Sequence, residues 1–179
     1  MSNEEAMKKA IEESEVNLSN NYKNGGPFGA VIVKDGEIIS QCHNTVVESK
    51  DATAHAEVNA IRMASKKLNT HDLEGCILYT STEPCPMCLS AIIWANIKEV
   101  YYANTKQDAD NIGFRDDMIY EYLKGNNKSI IKMNHIESKE ALEVFKRFKE
   151  LEDKIIYWFI EKSEKIKFLA LFFKNLLTI

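Results

Sequence analysis

Two short motifs, each predicted at the start of a helix, contain the side chains best suited to chemistry. The first, TAHAE, spans 53–57, and the second, EPCPMC, spans 83–88. Cys85 and Cys88 are three residues apart, so they lie on the same side of one helical turn. A helix N-terminus also favours the thiolate form of cysteine. The second motif therefore predicts a pair of soft anionic metal ligands.

A nitrogen ligand from His55 would complete a set of three protein ligands. For zinc this is the pattern of a catalytic site, because the fourth position stays open to water. Such a water ionises near neutral pH when a nearby base takes its proton. Glu57 is the candidate base. Side chains at i and i+2 diverge on a regular helix, so we expect both to reach the metal region only where the chain enters the helix.

Each motif alone is compatible with other interpretations. A single Cys-x-x-Cys could be a redox pair, half of a structural zinc site or two packed thiols. His55 alone would fit a histidine at a helix start. The combination of His-x-Glu with a later Pro-Cys-x-x-Cys is more specific, because it is the signature of zinc-dependent deaminases of nucleobases.

The composition indicates one globular domain in a reducing compartment. The chain has 179 residues with 45% apolar and 28% charged side chains, close to the average of soluble proteins. Its formal charge of −4 argues against a nucleic-acid partner, which would favour a basic surface. Four cysteines are too few for a disulfide framework, and the first residues lack the apolar core of a signal peptide. We therefore expect a cytoplasmic protein.

The elements that must position the motifs alternate between strands and helices. The Asp35-Gly36 pair predicts a hairpin turn between two strands. We expect helices at 3–22, 53–68, 85–96, 116–123 and 137–154, strands within 25–44 and at 76–81, 99–104 and 129–136, and a loop at 105–115. This pattern predicts an α/β fold, a three-layer α/β/α sandwich around a five-stranded mixed sheet.

Three runs resemble the cytidine and deoxycytidylate deaminase superfamily. They are GGPFGAVIVKDG (25–36), TAHAEVNAIR (53–62) and YTSTEPCPMCLSAIIWA (79–95). A fourth run, GFRDDMIYEYL (113–123), is similar to bacterial guanine deaminases and not to the basic pattern of tRNA-adenosine deaminases. The resemblance covers roughly 5–157 and implies a cytidine deaminase-like fold.

The resemblance implies a zinc enzyme that hydrolyses guanine to xanthine and ammonia without an organic cofactor. His55, Cys85 and Cys88 would bind Zn²⁺, and Glu57 would transfer protons between water and the purine base. The resemblance also implies four residues that contact the substrate: Asn44, Asp116, Phe28 and Trp94.

Elementary chemistry agrees with two of these contacts. A carboxylate at Asp116 can accept from the N1–H and the 2-amino group of guanine, whereas the matching ring nitrogen of adenine is an acceptor. The amide of Asn44 can donate and accept at once. Both residues also have an ordinary structural interpretation. Asp116 could cap the helix that follows it, and Asn44 could close a turn.

The sequence departs from the family pattern at two places. Arg115 stands where relatives have Asp, which reverses a charge beside Asp116. The pair Cys42-His43 replaces smaller or amide residues before Asn44. Either change could alter the substrate preference.

The C-terminal part divides at Tyr157. The resemblance places Tyr157 near a terminal segment that closes over an active site, including by exchange of C-terminal segments within a homodimer. We therefore expect a deaminase domain at 1–157 and an apolar, basic extension at 158–179. The longest apolar run of that extension, FLALFF, is too short to span a membrane. Packing on the domain or a partner, membrane-surface binding and an appendage without a settled role all stay open for it.

Two other functions compete with guanine deamination. A tRNA-adenosine deaminase would share the zinc site, although the acidic composition and the GFRDD segment argue against it. A non-catalytic zinc domain that binds another protein would hold the metal without a chemical need for Glu57.

Overall fold

The computed structural model describes residues 1–126 and 128–157 and divides the chain into two units, Met1–Ile131 and Lys132–Ile179. The strands of the first unit are β1 (Gly29–Lys34), β2 (Glu37–His43), β3 (Cys76–Thr82) and β4 (Glu99–Asn104). Its helices are α1 (Asn3–Ser14), α2 (Val46–Ser49), α3 (Ala56–Leu68), α4 (Pro86–Trp94), α5 (Lys106–Asn111) and α6 (Asp117–Leu123), with a 3-10 turn at Val16–Asn20. The second unit contains α7 (Lys139–Glu150).

The four strands form one mixed sheet in the order β2-β1-β3-β4. Strand β1 runs antiparallel to β2 and β3, whereas β3 and β4 are parallel. The predicted hairpin turn is present, since Asp35 and Gly36 both have positive φ, 51° and 79°. Two successive left-handed residues match the twist of the flanking strands, which is why Asp-Gly marks such turns.

Helices cover both faces of the sheet. On one face, Ala6 and Ala10 of α1 pack against Val31, Val33 and Tyr79. This approach is close, because a Cβ on Gly29 would collide with the carbonyl oxygen of Ala10.

The opposite face of the sheet carries α3 and α4. A row of alanines on α3 and Ile92 of α4 meet the apolar side chains of β1 and β3, among them Ile32 and Leu78. The α/β fold and its layers are therefore as predicted. In the described residues, no helix has the length and the apolar character that crossing a membrane requires.

Three predicted elements differ from the structure. The first helix, predicted at 3–22, ends at Ser14, and a 3-10 turn follows at Val16–Asn20. The segment 129–136, predicted as a fifth strand, has no regular secondary structure, so the sheet of the described residues has four strands. Its apolar side chains are exposed, from 41% at Ile130 to 85% at Ile136, and no sheet edge pairs with it. The segment 105–115, predicted as a loop, contains α5. A capping box between Thr105 and Asp108 stabilises the start of this helix.

Replacing Leu78 with alanine should lower the free energy of unfolding by about 3 kcal/mol, because a buried leucine loses both its transfer free energy and its packing. Leu78 is 0% exposed and lies in β3, in the interior of the sheet. Denaturant unfolding followed by circular dichroism measures the change. Leu18→Ala is the matched control, since Leu18 is 56% exposed. Equal losses in both variants would contradict the assignment of this core.

Candidate active site

The two motifs place one polar side chain at the start of each of two neighbouring helices. His55 is the N-cap residue of α3, with an extended backbone (φ −68°, ψ 156°). Cys85 is the N-cap residue of α4 in nearly the same conformation (φ −64°, ψ 167°), and Pro86 follows it as the first helical residue. Proline suits that position because its missing N–H is not needed there. Glu57 and Cys88 then lie in the first turns of α3 and α4.

His55, Cys85 and Cys88 form a cluster with the donor set of a zinc site. The Nδ1 of His55 lies 3.7 Å from the Sγ of Cys85 and 3.5 Å from the Sγ of Cys88. All three candidate ligand atoms lie within 4.8 Å of one another. Two thiolates and one imidazole are soft and borderline donors that suit Zn²⁺ and leave a fourth position open.

The electrostatics of the cluster favour one thiolate, because the pKa of Cys85 is lowered, whereas a hydrogen bond with Cys85 and burial raise the pKa of the Cys88 thiol. A hydrogen bond from the Cys88 thiol, helped by His55, lowers the pKa of Cys85 to about 4. One thiolate is therefore present at neutral pH before any metal binds. Beside it, Glu57 is only 6% exposed, and burial raises the pKa of its carboxyl group. A carboxyl group with a raised pKa is suited to both taking and returning a proton.

A pocket of about 280 Å³ opens directly onto this cluster. Its lining includes His55, Cys85 and Glu57, so two of the three candidate metal ligands and the candidate base face one space, with Cys88 buried behind them. Phe28 and Phe114 form an apolar part of the wall, with ring centroids 4.8 Å apart and planes at 88°. Such an edge-to-face pair is a stable wall for a flat aromatic ligand.

Asp116 lies in the wall of the same pocket. It is the N-cap residue of α6, but its side chain makes no capping hydrogen bond. Burial raises the pKa of its carboxyl group, and the nearby charge of Lys106 partly opposes that rise. The structure therefore does not support the interpretation that the side chain of Asp116 caps α6.

Asn44 and Trp94 do not belong to the pocket lining. Asn44 is buried, and its Oδ1 accepts a hydrogen bond from the N–H of Val46 at 3.1 Å, which is the turn chemistry that asparagine often provides. The backbone N–H of Asn44 donates a hydrogen bond to the carbonyl of Phe28, so Asn44 adjoins the pocket wall. Trp94, the last residue of α4, is 47% exposed.

The structure adds pocket residues that the sequence analysis did not select. Phe114, Lys106 and Glu83 all line the pocket. The Oε2 of Glu83 accepts a hydrogen bond from the N–H of Lys106 at 3.1 Å, which ties the start of α5 to the loop before Cys85. The sequence signal for Phe114 was its place inside the GFRDD segment. Tyr157 lies in the second unit, and the extension 158–179 lies outside the described residues.

Comparison with known proteins places this site in a family. Residues 1–104 match the family described as the cytidine and deoxycytidylate deaminase zinc-binding region. The chain belongs to this deaminase family. The matched part contains the three candidate ligands and Glu57.

Several members of the deaminase family are similar to the chain over longer or shorter parts. Guanine deaminase of Bacillus subtilis is 60% identical over 99 residues, which are 55% of this chain and 64% of that protein. The tRNA-specific adenosine deaminase of Aquifex aeolicus is 49% identical over 96 residues, 54% of this chain and 57% of the relative. The chain thus matches less than two thirds of the length of either relative.

The solved structure of B. subtilis guanine deaminase extends the likeness. It superposes with a TM-score of 0.82 and 44% identity, and the match covers 88% of this chain and 99% of that one. The cytidine deaminase-like fold expected from the sequence is therefore confirmed.

Proposed function

We propose that this deaminase hydrolyses guanine to xanthine and ammonia and that His55, Cys85 and Cys88 hold a catalytic Zn²⁺. The observation that supports guanine is the position of Asp116, whose carboxylate makes no capping hydrogen bond and lies in the wall of the pocket that His55, Cys85 and Glu57 also line. The likeness to B. subtilis guanine deaminase supports the same substrate.

The zinc assignment is supported by the chemistry and the spacing of the donors. Two cysteine sulfurs and one imidazole nitrogen within 4.8 Å of one another suit this metal. When bound by three protein ligands, Zn²⁺ acts as a Lewis acid that lowers the pKa of a water molecule in its open position.

Glu57 performs the proton transfers in this proposal. It takes a proton from the water that attacks C2 of guanine and delivers it to the adjacent ring nitrogen. It then moves the second proton of that water, now on the hydroxyl group at C2, to the amino group, which leaves as ammonia. One water and one guanine thus yield one xanthine and one ammonia. Because the carboxyl group is buried and its pKa is raised, it can hold the proton between these steps. The N–H groups that open α4 beside Cys85 would stabilise negative charge near the reacting carbon.

The pocket wall selects the base. The carboxylate of Asp116 would accept from the N1–H and the 2-amino group, and adenine offers no matching pair of donors. Phe28 and Phe114 would contact the flat ring. Asn44 would contact the purine through its side-chain N–H groups, since its Oδ1 already accepts from Val46.

We further propose that the chain acts in the cytoplasm as a homodimer, with 1–157 as the deaminase domain and 158–179 as an extension. The four cysteines are free thiols, which fits a reducing compartment. The solved guanine deaminase matches 88% of the chain, which fits a deaminase domain that makes up most of it. On α7, four apolar side chains are between 47% and 74% exposed: Leu142, Val144, Phe145 and Phe148. Such a face favours a second copy as partner, and exchanged C-terminal segments are one form of that pairing.

The experiment that tests the substrate is ammonia release by the purified, zinc-loaded protein. The panel contains guanine, adenine, cytosine, cytidine and guanosine. Turnover of guanine alone is expected. Turnover of another member would show that Asp116 does not set the preference. Inosine formation in tRNA without guanine turnover would favour the activity named for the A. aeolicus relative.

Replacing Asp116 with asparagine should lower kcat/KM for guanine by about 100-fold, because a charged acceptor is lost and an N–H₂ group faces two donors. The wild-type activity should fall as the pH drops through the raised pKa of Asp116, since protonation removes the acceptor. That loss should begin at a higher pH than an ordinary aspartate would give. Steady-state kinetics against pH measures both effects.

The control for Asp116→Asn is Asp35→Asn, which replaces an exposed aspartate in the hairpin turn. It should keep the kinetic constants of the wild type. Zinc content should be the same in both variants. Unchanged guanine kinetics in Asp116→Asn would remove Asp116 from the site.

A further inference from the structure

Arg115 connects two helices across the pocket wall. Its Nε lies 3.0 Å from the Oδ1 of Asp110 in α5. Its Nη2 donates to the Oδ2 of Asp117, the first residue of α6, at 3.2 Å. One guanidinium group therefore joins the end of one helix to the start of the next. Between those anchors lie Phe114 and Asp116, two residues of the pocket wall.

Other contacts besides those of Arg115 also anchor this part of the wall. Phe114 packs against Phe28. The backbone N–H of Lys106 donates to Glu83, and the Nζ of Lys106 lies 4.8 Å over the ring of Tyr120 in α6. Helices α5 and α6 have six and seven residues and contain no buried side chain. Helices of that length are not stable in isolation, so their position depends on contacts outside themselves. The link between them turns at Gly113, whose φ of 96° is a conformation that favours glycine.

One of the two ion pairs differs from an ordinary surface pair. The Oδ1 of Asp110 is shielded from solvent and accepts no hydrogen bond within the described part of the chain, and the Nε of Arg115, 3.0 Å away, is its neighbouring cation. A carboxylate oxygen that water does not reach is stabilised more by a neighbouring cation than a solvent-exposed carboxylate oxygen is. A planar guanidinium can also serve two carboxylates at once, which a lysine ammonium does with less directional control.

We propose that Arg115 is a positioning residue that clamps α5 to α6 through Asp110 and Asp117 and so holds Phe114 and Asp116 at the pocket. The clamp is defined by Arg115, Asp110 and Asp117. It rests on the proposed function in one respect, because its effect on turnover requires that Asp116 contacts the base. Its effect on the backbone of the segment is independent of any substrate.

The backbone of the clamped segment provides the first measurement. The N–H of Gly113 donates to the carbonyl of Asp110 at 2.9 Å, and the N–H of Phe114 donates to the carbonyl of Ala109 at 3.0 Å. In Arg115→Met, which keeps an unbranched apolar side chain in the wall, hydrogen exchange of these two amides should accelerate about 5-fold. Unchanged exchange would overturn the proposal, whatever the activity shows.

Kinetics of four variants separates the clamp from a direct action of the guanidinium charge on the base. The clamp predicts that Arg115→Met and the double variant Asp110→Asn/Asp117→Asn each raise KM for guanine about 5-fold with zinc retained. Combining all three changes should add little, because they remove the same contacts. Arg115→Lys should restore part of the loss. A direct action predicts the opposite for the double variant, because the freed guanidinium would keep or increase kcat/KM.

Lys124→Met is the matched control. Lys124 lies beside α6, pairs with Glu121 at 2.9 Å, and its side chain is as exposed as that of Arg115 (64% against 65%). It should leave exchange and kinetics unchanged, and an equal effect would overturn the clamp. If the wild type does not deaminate guanine, the proposed function fails, and the exchange measurement still decides whether Arg115 holds the segment.

Discussion

Replacing Glu57 with glutamine should reduce guanine turnover about 1,000-fold, while zinc content and folding stay as in the wild type. A positioned general acid–base group contributes about 10²–10⁴-fold to a rate, and an amide cannot accept and return a proton at neutral pH. Glutamine has nearly the shape of glutamate, and Glu57 is 6% exposed, so the neutral side chain costs no more to bury than the charged one. Ammonia release and metal analysis of the same preparations measure the two quantities.

Glu48→Gln in α2 is the control for this change, because Glu48 is an exposed glutamate outside the pocket. It should keep full turnover. Full turnover in Glu57→Gln with zinc retained would contradict the proton-transfer role. Zinc binding by a wild type without turnover would instead favour the non-catalytic zinc domain.

Cys88→Ala should lose zinc and should lower guanine turnover by more than about 1,000-fold, because two remaining ligands bind Zn²⁺ far more weakly than three. Its thermal midpoint should also become insensitive to a chelator, whereas the wild-type midpoint should fall when the metal is removed. Zinc binding requires deprotonated thiolates, so the wild type should lose the metal as the pH falls. Metal analysis and thermal unfolding with and without chelator provide the readouts.

Cys76→Ala is the matched control for the thiol. Cys76 is buried like Cys88 but lies in β3 within the apolar core. It should keep its zinc and its activity and lose only a little stability. Retention of zinc by Cys88→Ala, or its loss in Cys76→Ala, would contradict the ligand assignment.

The parts of the site that could be predicted from the sequence are those that short stretches of chain determine. The spacing of Cys85 and Cys88 already places both sulfurs on one helical turn. The prediction that His55 and Glu57 reach one region only at a helix entrance matches the structure, in which His55 is an N-cap residue. The Asp35-Gly36 turn is equally local.

What the sequence could not supply depends on contacts between distant residues. The segment 129–136 has the β-branched composition of a strand, but no composition reveals whether a sheet edge is available to pair with it. The place of Phe114 against Phe28, and of Glu83 at the start of α5, depends on how distant parts of the chain meet. For Asp116 the sequence left two interpretations open, and only the missing capping bond decides against one of them.

The order of the site residues along the chain has a consequence for how such proteins diversify. The part that matches the family ends at residue 104, and it includes the ligand cluster and Glu57. Lys106 in α5 follows it, and so do Phe114 and Asp116 in the link between α5 and α6, two short helices without buried side chains. The candidate metal ligands and the candidate base thus lie on one stretch of the chain, whereas part of the pocket wall lies on a later one. A graft of 105–123 between relatives would test whether the accepted base can change while zinc binding is kept.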